Sequence, residues 1–595
     1  MGKHAHNFVK CHSCGYIGNT VAMQKCIICG RSLRRSLGFS RGIIAGGVTA
    51  LSLGALALIF RAPIVSDSAQ LPTDDLQQQA SSVQETIEDG VTDSIDAVSS
   101  VLPDAPSDPL ATDDEAVSAD AGDAEAVNES TANIPDELAA TTGDDTAGNT
   151  GISPDADGAA IDATSEGTGG SAELAQDFLS DGDRLLFSNA TDASKEAGIA
   201  AYASGDYDAA IAHFEESRQV RRNDPETLIY LNNAEVGDAD AVYVAAVAPI
   251  SSSPNSAQEL LRGVAQLQLE LNDSGTTLPM KVVVVDDANS SEQAELVAEG
   301  IVADDRILFV MGHGTSTTTL AAADIYQEAG LVMMAPTCTS TELSELDKAD
   351  TNYIYRTIPS DDTSGAALAT HVSDTMGLDS VVVFSNSDSS YSQSLTEAFT
   401  SAFKSTGGVT ETIDLAVGDP TDRLQEIDAD AIALFPDADT YAQAIDVAKA
   451  NASVLPLIAG DAMYSITSLN DAGDAVEGLV LPVPWHPDMD VVGVDEFATA
   501  AATLWGGDIN WRTALSYDAM QAFSQALASG ADSRDDIAVA LSEPGFAVNG
   551  VTGLISFLST GDRDSSLMLV EVVETPDASS SRSGVGLDFA PIDEN

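Results

Sequence analysis

From residue 242 onward the chain alternates short apolar runs with amphipathic stretches. VYVAAVAPI precedes SAQELLRGVAQLQLEL, KVVVVDDAN precedes SEQAELVAEGIVA, RILFVMG precedes TTTLAAADIYQEAG, and LVMMAPT follows. Near-continuous Val, Ile and Leu runs separated by segments of helical period predict parallel strands buried on both faces. A second series opens at Ser380 with VVVFSNS and continues through AIALFPD and LPLIAGD, with helices such as SQSLTEAFTSAFKSTGG between them. The expected fold class is therefore α/β, with two doubly wound parallel-sheet lobes over residues 239–577 and a disordered tail over 578–595. Ligands of such sheets bind beyond the carboxyl ends of the strands, and two lobes can turn those ends toward one cleft.

Ahead of the lobes, residues 195–225 place small and apolar positions at helical spacing around a GDY turn. Gly198, Gly205, Tyr207, Ala210, Phe214 and Pro225 resemble one tetratricopeptide repeat, which sets a small α-helical repeat unit at 178–238. A lone repeat cannot bury its own face, so it is expected to pack on a neighbour such as the following PETLIYLNNAEVG. Residues 61–177 lack Phe, Trp and Tyr, and residues 62–177 carry 27 Asp and Glu with no Lys or Arg. Such a segment cannot offset its ordering entropy by burial, so a disordered acidic linker is expected. A tether and an acidic binding segment share that composition.

Residues 42–60, GIIAGGVTALSLGALALIF, form 19 uncharged positions bracketed by Arg41 and Arg61. As a helix they would span about 28 Å, close to the ~30 Å of a bilayer core, and they are read as a transmembrane helix. A cleaved signal peptide is the rival reading, although its apolar region would be shorter and followed by a small-residue cleavage site. Residues 1–41 carry seven Lys and Arg and no acid, which places the N-terminus in the cytoplasm and the later module outside the inner membrane, periplasmic or extracellular. Within that basic head, Cys11 and Cys14 form CHSC, and Cys26 and Cys29 form CIIC, with eleven residues between the pairs. Two CxxC turns suit the tetrahedral four-thiolate shell of a structural Zn2+ site, so 1–41 is read as a cytoplasmic zinc ribbon with His12 a bystander.

Charge narrows the function further. Across 595 residues, 94 Asp and Glu face 25 Lys and Arg, for a net charge of −69. A surface so acidic repels a phosphate backbone, so nucleic acid is not an expected partner. With eight Lys in the whole chain, the composition is that of adaptation to high salt, where screening suppresses self-repulsion.

GHGTSTTTLAAADIYQEAGLVMMAPTCTSTEL, then YIYRTIPSDDTSGAALA and SYSQSL, resemble the periplasmic binding proteins of the leucine/isoleucine/valine type that serve ABC importers. LSYDAMQAFSQAL and FAVNGVTGLISFLSTGDR are similar to that family's C-terminal helix and closing strands, so the resemblance spans roughly 240–575. From the residues themselves, GHGTST opens a helix after a strand, where backbone N–H groups and the hydroxyls of Thr315 and Ser316 suit a carboxylate. The resemblance implies that Ser316 and Thr339 hold the ligand carboxylate, that the Thr337 carbonyl and the Asp461 side chain hold its ammonium, and that Tyr391 closes over it. Ser256 and Asp437 fall at two further pocket positions where the family often carries larger or aromatic residues. Trp485 is read either as a cleft wall or as hinge packing, Cys338 as a small buried residue, and His313 as a loop hydrogen-bonder.

No GxSxG elbow, Walker loop, HExxH or dinucleotide fingerprint stands at a strand-to-helix junction, so the chain is not expected to be an enzyme. The expected function is capture of amino acids, branched-chain or related, for an ABC importer whose permease would be the partner. A sensor ectodomain signalling to the zinc ribbon is the alternative, disfavoured because a long flexible linker transmits displacement poorly.

Overall fold

The computed structural model describes residues 8–9, 19–20, 174–275, 278–346, 351–565, 567–575 and 581–592. The four ribbon cysteines, the apolar run 42–60 and the acidic linker up to residue 173 lie outside the described residues. Strands β1 (Phe8–Val9) and β2 (Asn19–Thr20) form a short antiparallel pair that brackets the first CxxC in sequence. Among the described residues no helix is long and apolar enough to cross a membrane.

The first lobe begins with β3 (Leu179–Ser180) and three helices, α1 (Ala193–Ala203), α2 (Tyr207–Val220) and α3 (Pro225–Val236). Asp192, Asp206 and Asp224 cap them, each accepting backbone N–H groups that a helix start leaves free. The chain then alternates β4 (Val242–Ala248), α4 (Pro254–Ser274), β5 (Met280–Asp286), α5 (Ser291–Val302), β6 (Ile307–Met311), α6 (Ser316–Ala329), β7 (Val332–Ala335), α7 (Glu342–Glu345) and β8 (Ile354–Arg356). Its sheet has the order β3-β5-β4-β6-β7-β8, parallel except at β3.

The second lobe holds α8 (Asp361–Thr370), β9 (Ser380–Ser385), α9 (Ser390–Ser405), β10 (Val409–Asp414), β11 (Ala431–Phe435), α10 (Tyr441–Asn451), β12 (Leu457–Ala459), α11 (Ile466–Ala472) and β13 (Val480–Val483). The chain returns to the first lobe through α12 (Val494–Trp505), α13 (Trp511–Ala528), α14 (Arg534–Ser542) and the hairpin β14 (Val548–Gly550) with β15 (Gly553–Ile555). It ends on the second sheet with β16 (Met568–Glu574) and β17 (Leu587–Pro591). That sheet runs β10-β9-β11-β12-β13-β16-β17, parallel up to β13 and antiparallel beyond it.

The two-residue period of a strand explains why both sheets are covered on both faces. On β4, Val244, Ala246 and Ala248 join the core shared with α4 and α13, while Ala245 and Val247 join the core under α5 and α6. On β9, Val382 and Phe384 face α10, and Val381 and Val383 face α9.

Two arrangements differ from a strand-and-helix reading by pattern alone. The helices α1–α3 do not form a body of their own: Phe214, Leu228, Ile229 and Tyr230 belong to the same core as β4, α4 and α13. Residues 587–591, assigned above to the tail, pair with β16, because Leu587 is buried in the second lobe's core and Phe589 packs against it.

The outer edge of β5 is closed by amide side chains. Asn272 exchanges hydrogen bonds with the Met280 backbone (2.7 and 3.0 Å), and Asn233 on α3 does the same with Val282 (3.0 and 2.7 Å). Beyond them β3 pairs with Val284 and Val285. A buried ion pair and two hydrogen bonds fix the crossings between lobes: Arg563 lies 3.4 Å from Asp518 and donates to the Thr357 carbonyl (3.0 Å), while Thr357 Oγ1 donates to the Leu515 carbonyl (3.1 Å).

Candidate functional site

The corner after β6 is shaped by Gly312, whose φ of +139° suits only glycine and whose Cβ, if present, would lie 2.7 Å from the Val247 carbonyl. His313 is buried, with Nδ1 2.9 Å from Asp287 Oδ2 and Nε2 3.2 Å from the Tyr326 hydroxyl. It therefore pins the loop from inside. Thr315 caps α6: its Oγ1 accepts from the Thr318 N–H (3.4 Å) and donates to Asn289 Oδ1 (2.8 Å). Ser316, one residue on, is 2% exposed; its Oγ makes no aligned hydrogen bond and faces the Cys338 thiol.

The loop after β7 meets the same corner. Thr337 Oγ1 donates to the Gly314 carbonyl (3.1 Å), so the two loops are tied together. Thr339 is 1% exposed and its Oγ1 is also without an aligned partner. Behind them the buried Arg356 donates to the carbonyls of Cys338 (3.2 Å) and Ser340 (2.8 Å) and pairs with Asp562 (2.6 Å). Cys338 is buried, and burial pushes its thiol up.

The second lobe contributes the acids. Asp461 begins the turn after β12 and is 7% exposed. Tyr391, at the start of α9, donates to Asp461 Oδ1 (2.8 Å) and accepts from the Ala462 N–H (3.3 Å). Gly460 makes room for this contact, because a Cβ there would strike the Tyr391 hydroxyl and Leu395. Burial raises the Asp461 carboxyl, against the Tyr391 hydrogen bond and the Arg512 charge.

Asp361, the first residue of α8, completes the cluster and is fully buried. Its N–H donates to the Thr339 carbonyl (2.8 Å). Burial lifts its carboxyl to about 7, while the Ser394 hydroxyl lowers it, the Asp461 charge raises it further, and the Thr339 hydroxyl and Arg356 pull it down. Neither carboxylate oxygen has an aligned hydrogen bond, although two hydroxyls face it. The lobes touch here, since the Thr341 N–H donates to Ser394 Oγ on α9 (2.9 Å).

Of the residues singled out from sequence, Ser316, Thr337 and Thr339 share one corner, and Tyr391 and Asp461 form the other, with Asp361 between them. Thr315 lies in the first corner with its hydroxyl engaged as a cap. Asp437 holds the loop before α10, accepting from Asn386 (2.9 Å) and Thr440 (3.0 Å). A cleft of about 810 Å³ opens between the lobes, lined among others by Ser256, Glu259, Tyr464, Trp485, Arg512 and Phe589; Ser316, Thr337, Thr339, Asp361, Tyr391 and Asp461 do not line it, and Asp461 meets it through the charge of Arg512. Trp485 thus stands in the cleft wall. Asp361 and Arg512 were not singled out from sequence. An acid opening a helix and an arginine at another helix start look like ordinary end residues until the lobes meet.

The arrangement offers hydroxyls free of aligned hydrogen bonds on one lobe and desolvated carboxyls where the other begins. It suits binding of a small molecule with opposite charges at one end.

Comparison with known proteins gives this geometry a lineage. The periplasmic binding protein family model matches residues 241–577. The leucine-specific-binding protein of Salmonella typhimurium is 26% identical over 261 residues, 42% of this chain and 69% of that protein. The Leu/Ile/Val-binding protein BraC3 of Rhizobium johnstonii is 26% identical over 346 residues, 55% of this chain and 90% of that one. Among solved structures, the leucine binding protein LivK of Thermotoga maritima aligns with a TM-score of 0.51 at 22% identity, covering 59% of this chain and 99% of that one. The branched-chain amino acid transporter substrate binding protein LivJ of Streptococcus pneumoniae, solved with isoleucine, gives 0.51 at 18% identity over 59% and 100%. With the matched model spanning both lobes and every element that builds the two corners, the chain belongs to the periplasmic binding protein family.

Proposed function

We propose that the two lobes capture an α-amino acid outside the cytoplasm and deliver it to an ABC importer. One observation carries this reading: the hydroxyls of Ser316 and Thr339, neither in an aligned hydrogen bond, stand across a lobe contact from the buried acids Asp361 and Asp461. A ligand carboxylate gives the hydroxyls and the N–H groups of the α6 start an acceptor. A ligand ammonium gives both acids a counter-charge, together with the Thr337 carbonyl, and Tyr391 orients Asp461 against it. The relatives named for leucine, isoleucine and valine support an amino acid as the class of ligand. Closure of the lobes over the solute is the state a permease would read.

The module is tethered, in this reading, by the apolar helix 42–60, with residues 1–41 in the cytoplasm. Four thiolates, Cys11, Cys14, Cys26 and Cys29, fit a closed structural Zn2+ site that stabilises the head without chemistry. Both statements rest on sequence spacing and charge. Metal analysis of the full chain, expected to give one Zn2+ per chain, tests the second.

The capture reading is tested by titration calorimetry of the full chain against the twenty amino acids. One or more is expected to bind at micromolar or tighter concentration, with Asp461→Asn weakening it at least about tenfold. Absence of binding by any of them overturns the reading.

A further inference from the structure

The cleft between the lobes holds a cation that the capture reading leaves unused. Arg512 lines it from the first turn of α13; among the described residues its guanidinium makes no hydrogen bond or close ion pair, although the charges of Asp461 and Glu259 act on it. The Trp511 ring lies 4.3 Å from Cζ, covering one face of the guanidinium and leaving its edge N–H groups available. The other charges on the wall are engaged or outside. Glu259 pairs with Arg262 and accepts from Thr513 Oγ1 (2.7 Å), Arg582 bonds Asp488 (3.1 Å), Asp588 accepts the Ser583 N–H (3.2 Å), and Asp508 is exposed at the rim. Trp485, also lining the cleft and 2% exposed, leaves its indole N–H without an acceptor.

From this we infer that the cleft selects an α-amino acid whose side chain ends in a carboxylate, with Arg512 as the residue that sets the specificity. The inference rests on the capture reading and names its ligand class. An aliphatic side chain entering the closed cleft would strip water from the guanidinium and return nothing, whereas a carboxylate pairs with its fork bidentately. Burial lowers Arg512 from its ordinary value, against the opposing charges of Asp461 and Glu259, neither of which forms an ion pair with it. A cleft of about 810 Å³ has room for a side chain longer than that of leucine.

The test is calorimetry of the full chain with L-glutamate, L-aspartate and L-leucine, repeated for Arg512→Met and Arg512→Lys, with thermal midpoints as a check on folding. One of the two acidic amino acids is expected to bind at least about tenfold tighter than leucine. Arg512→Met lowers affinity for the acidic amino acid at least about tenfold relative to that for leucine, and Arg512→Lys keeps part of the preference. Should Arg512→Met fold poorly, Arg512→Lys carries the test, since a point charge in place of the fork still lowers the acid affinity selectively. Leucine binding tighter than both acids, or variants weakening all three ligands alike, overturns the inference and leaves amino-acid capture standing. Binding of none of the three, nor of any other amino acid, removes the capture reading and this inference together.

Discussion

Replacing Asp361 by Asn isolates one buried carboxyl with a calculable effect. In the native chain burial lifts that carboxyl from an ordinary 3.8 to about 7. Between those values the folded state holds a proton that the unfolded chain has released, so the group's contribution to stability falls as pH rises from about 4 to 7 and levels off above. At about 1.4 kcal/mol per unit the full loss is about 4 kcal/mol, of which about 3 kcal/mol falls between pH 5 and 8. Asn is close in shape and does not titrate. Urea unfolding of the ligand-free chain at pH 5 and pH 8 should therefore show the wild type losing about 3 kcal/mol more than Asp361→Asn over that interval. A bound ammonium favours the ionised acid, so ligand should shrink the difference. Binding at pH 6 should release about one proton, measurable by calorimetry in buffers of different ionisation enthalpy. Parallel pH profiles for wild type and variant would refute the placement of this acid in a dry pocket.

Other perturbations separate binding from architecture. Ser316→Ala and Thr339→Ala remove hydroxyls that make no aligned hydrogen bond in the free protein, so each should weaken ligand by about 1 kcal/mol while the melting midpoint holds nearly constant; a large drop in midpoint would contradict their availability to a ligand. Lys195→Met strands Asp224 and Glu226, which lie 2.6 Å from the ammonium in a buried site. It should cost about 3–5 kcal/mol in urea unfolding, and a smaller cost than about 1 kcal/mol would mean α1 and α3 are not held by this triad. With a net charge of −69, the melting temperature should climb between low and molar potassium chloride, and a flat profile would remove salt adaptation as the reason for the acidity.

What the linear chain disclosed and what it hid follow from the range of each interaction. Strands such as VYVAAVA carry their burial on both sides as an unbroken apolar run, and GHGTST marks a strand-to-helix corner through local residue chemistry. Both are legible because the cause lies within a few residues. The sequence DFAP in β17 reads as part of a polar tail, because the partner that makes it a strand, β16, is separated from it by a long loop. Asp361 and Arg512 owe their environment to residues far away in sequence, Asp461 in the first case and both Glu259 and Asp461 in the second. The helices α1–α3 were visible as helices, yet their merger with the first lobe depends on Asn233 and Tyr230 meeting groups across the fold.

The amide side chains along β5 have a consequence for any shortened form of the protein. An unsatisfied strand margin invites another chain to add itself there. Cutting before residue 239 would remove both Asn233 and β3 and leave Val282, Val284 and Val285 with bare outward-facing peptide groups. A fragment holding only the paired lobes would thus be prone to stick to its own copies, and the helical leader serves as a guard rail against assembly on that side.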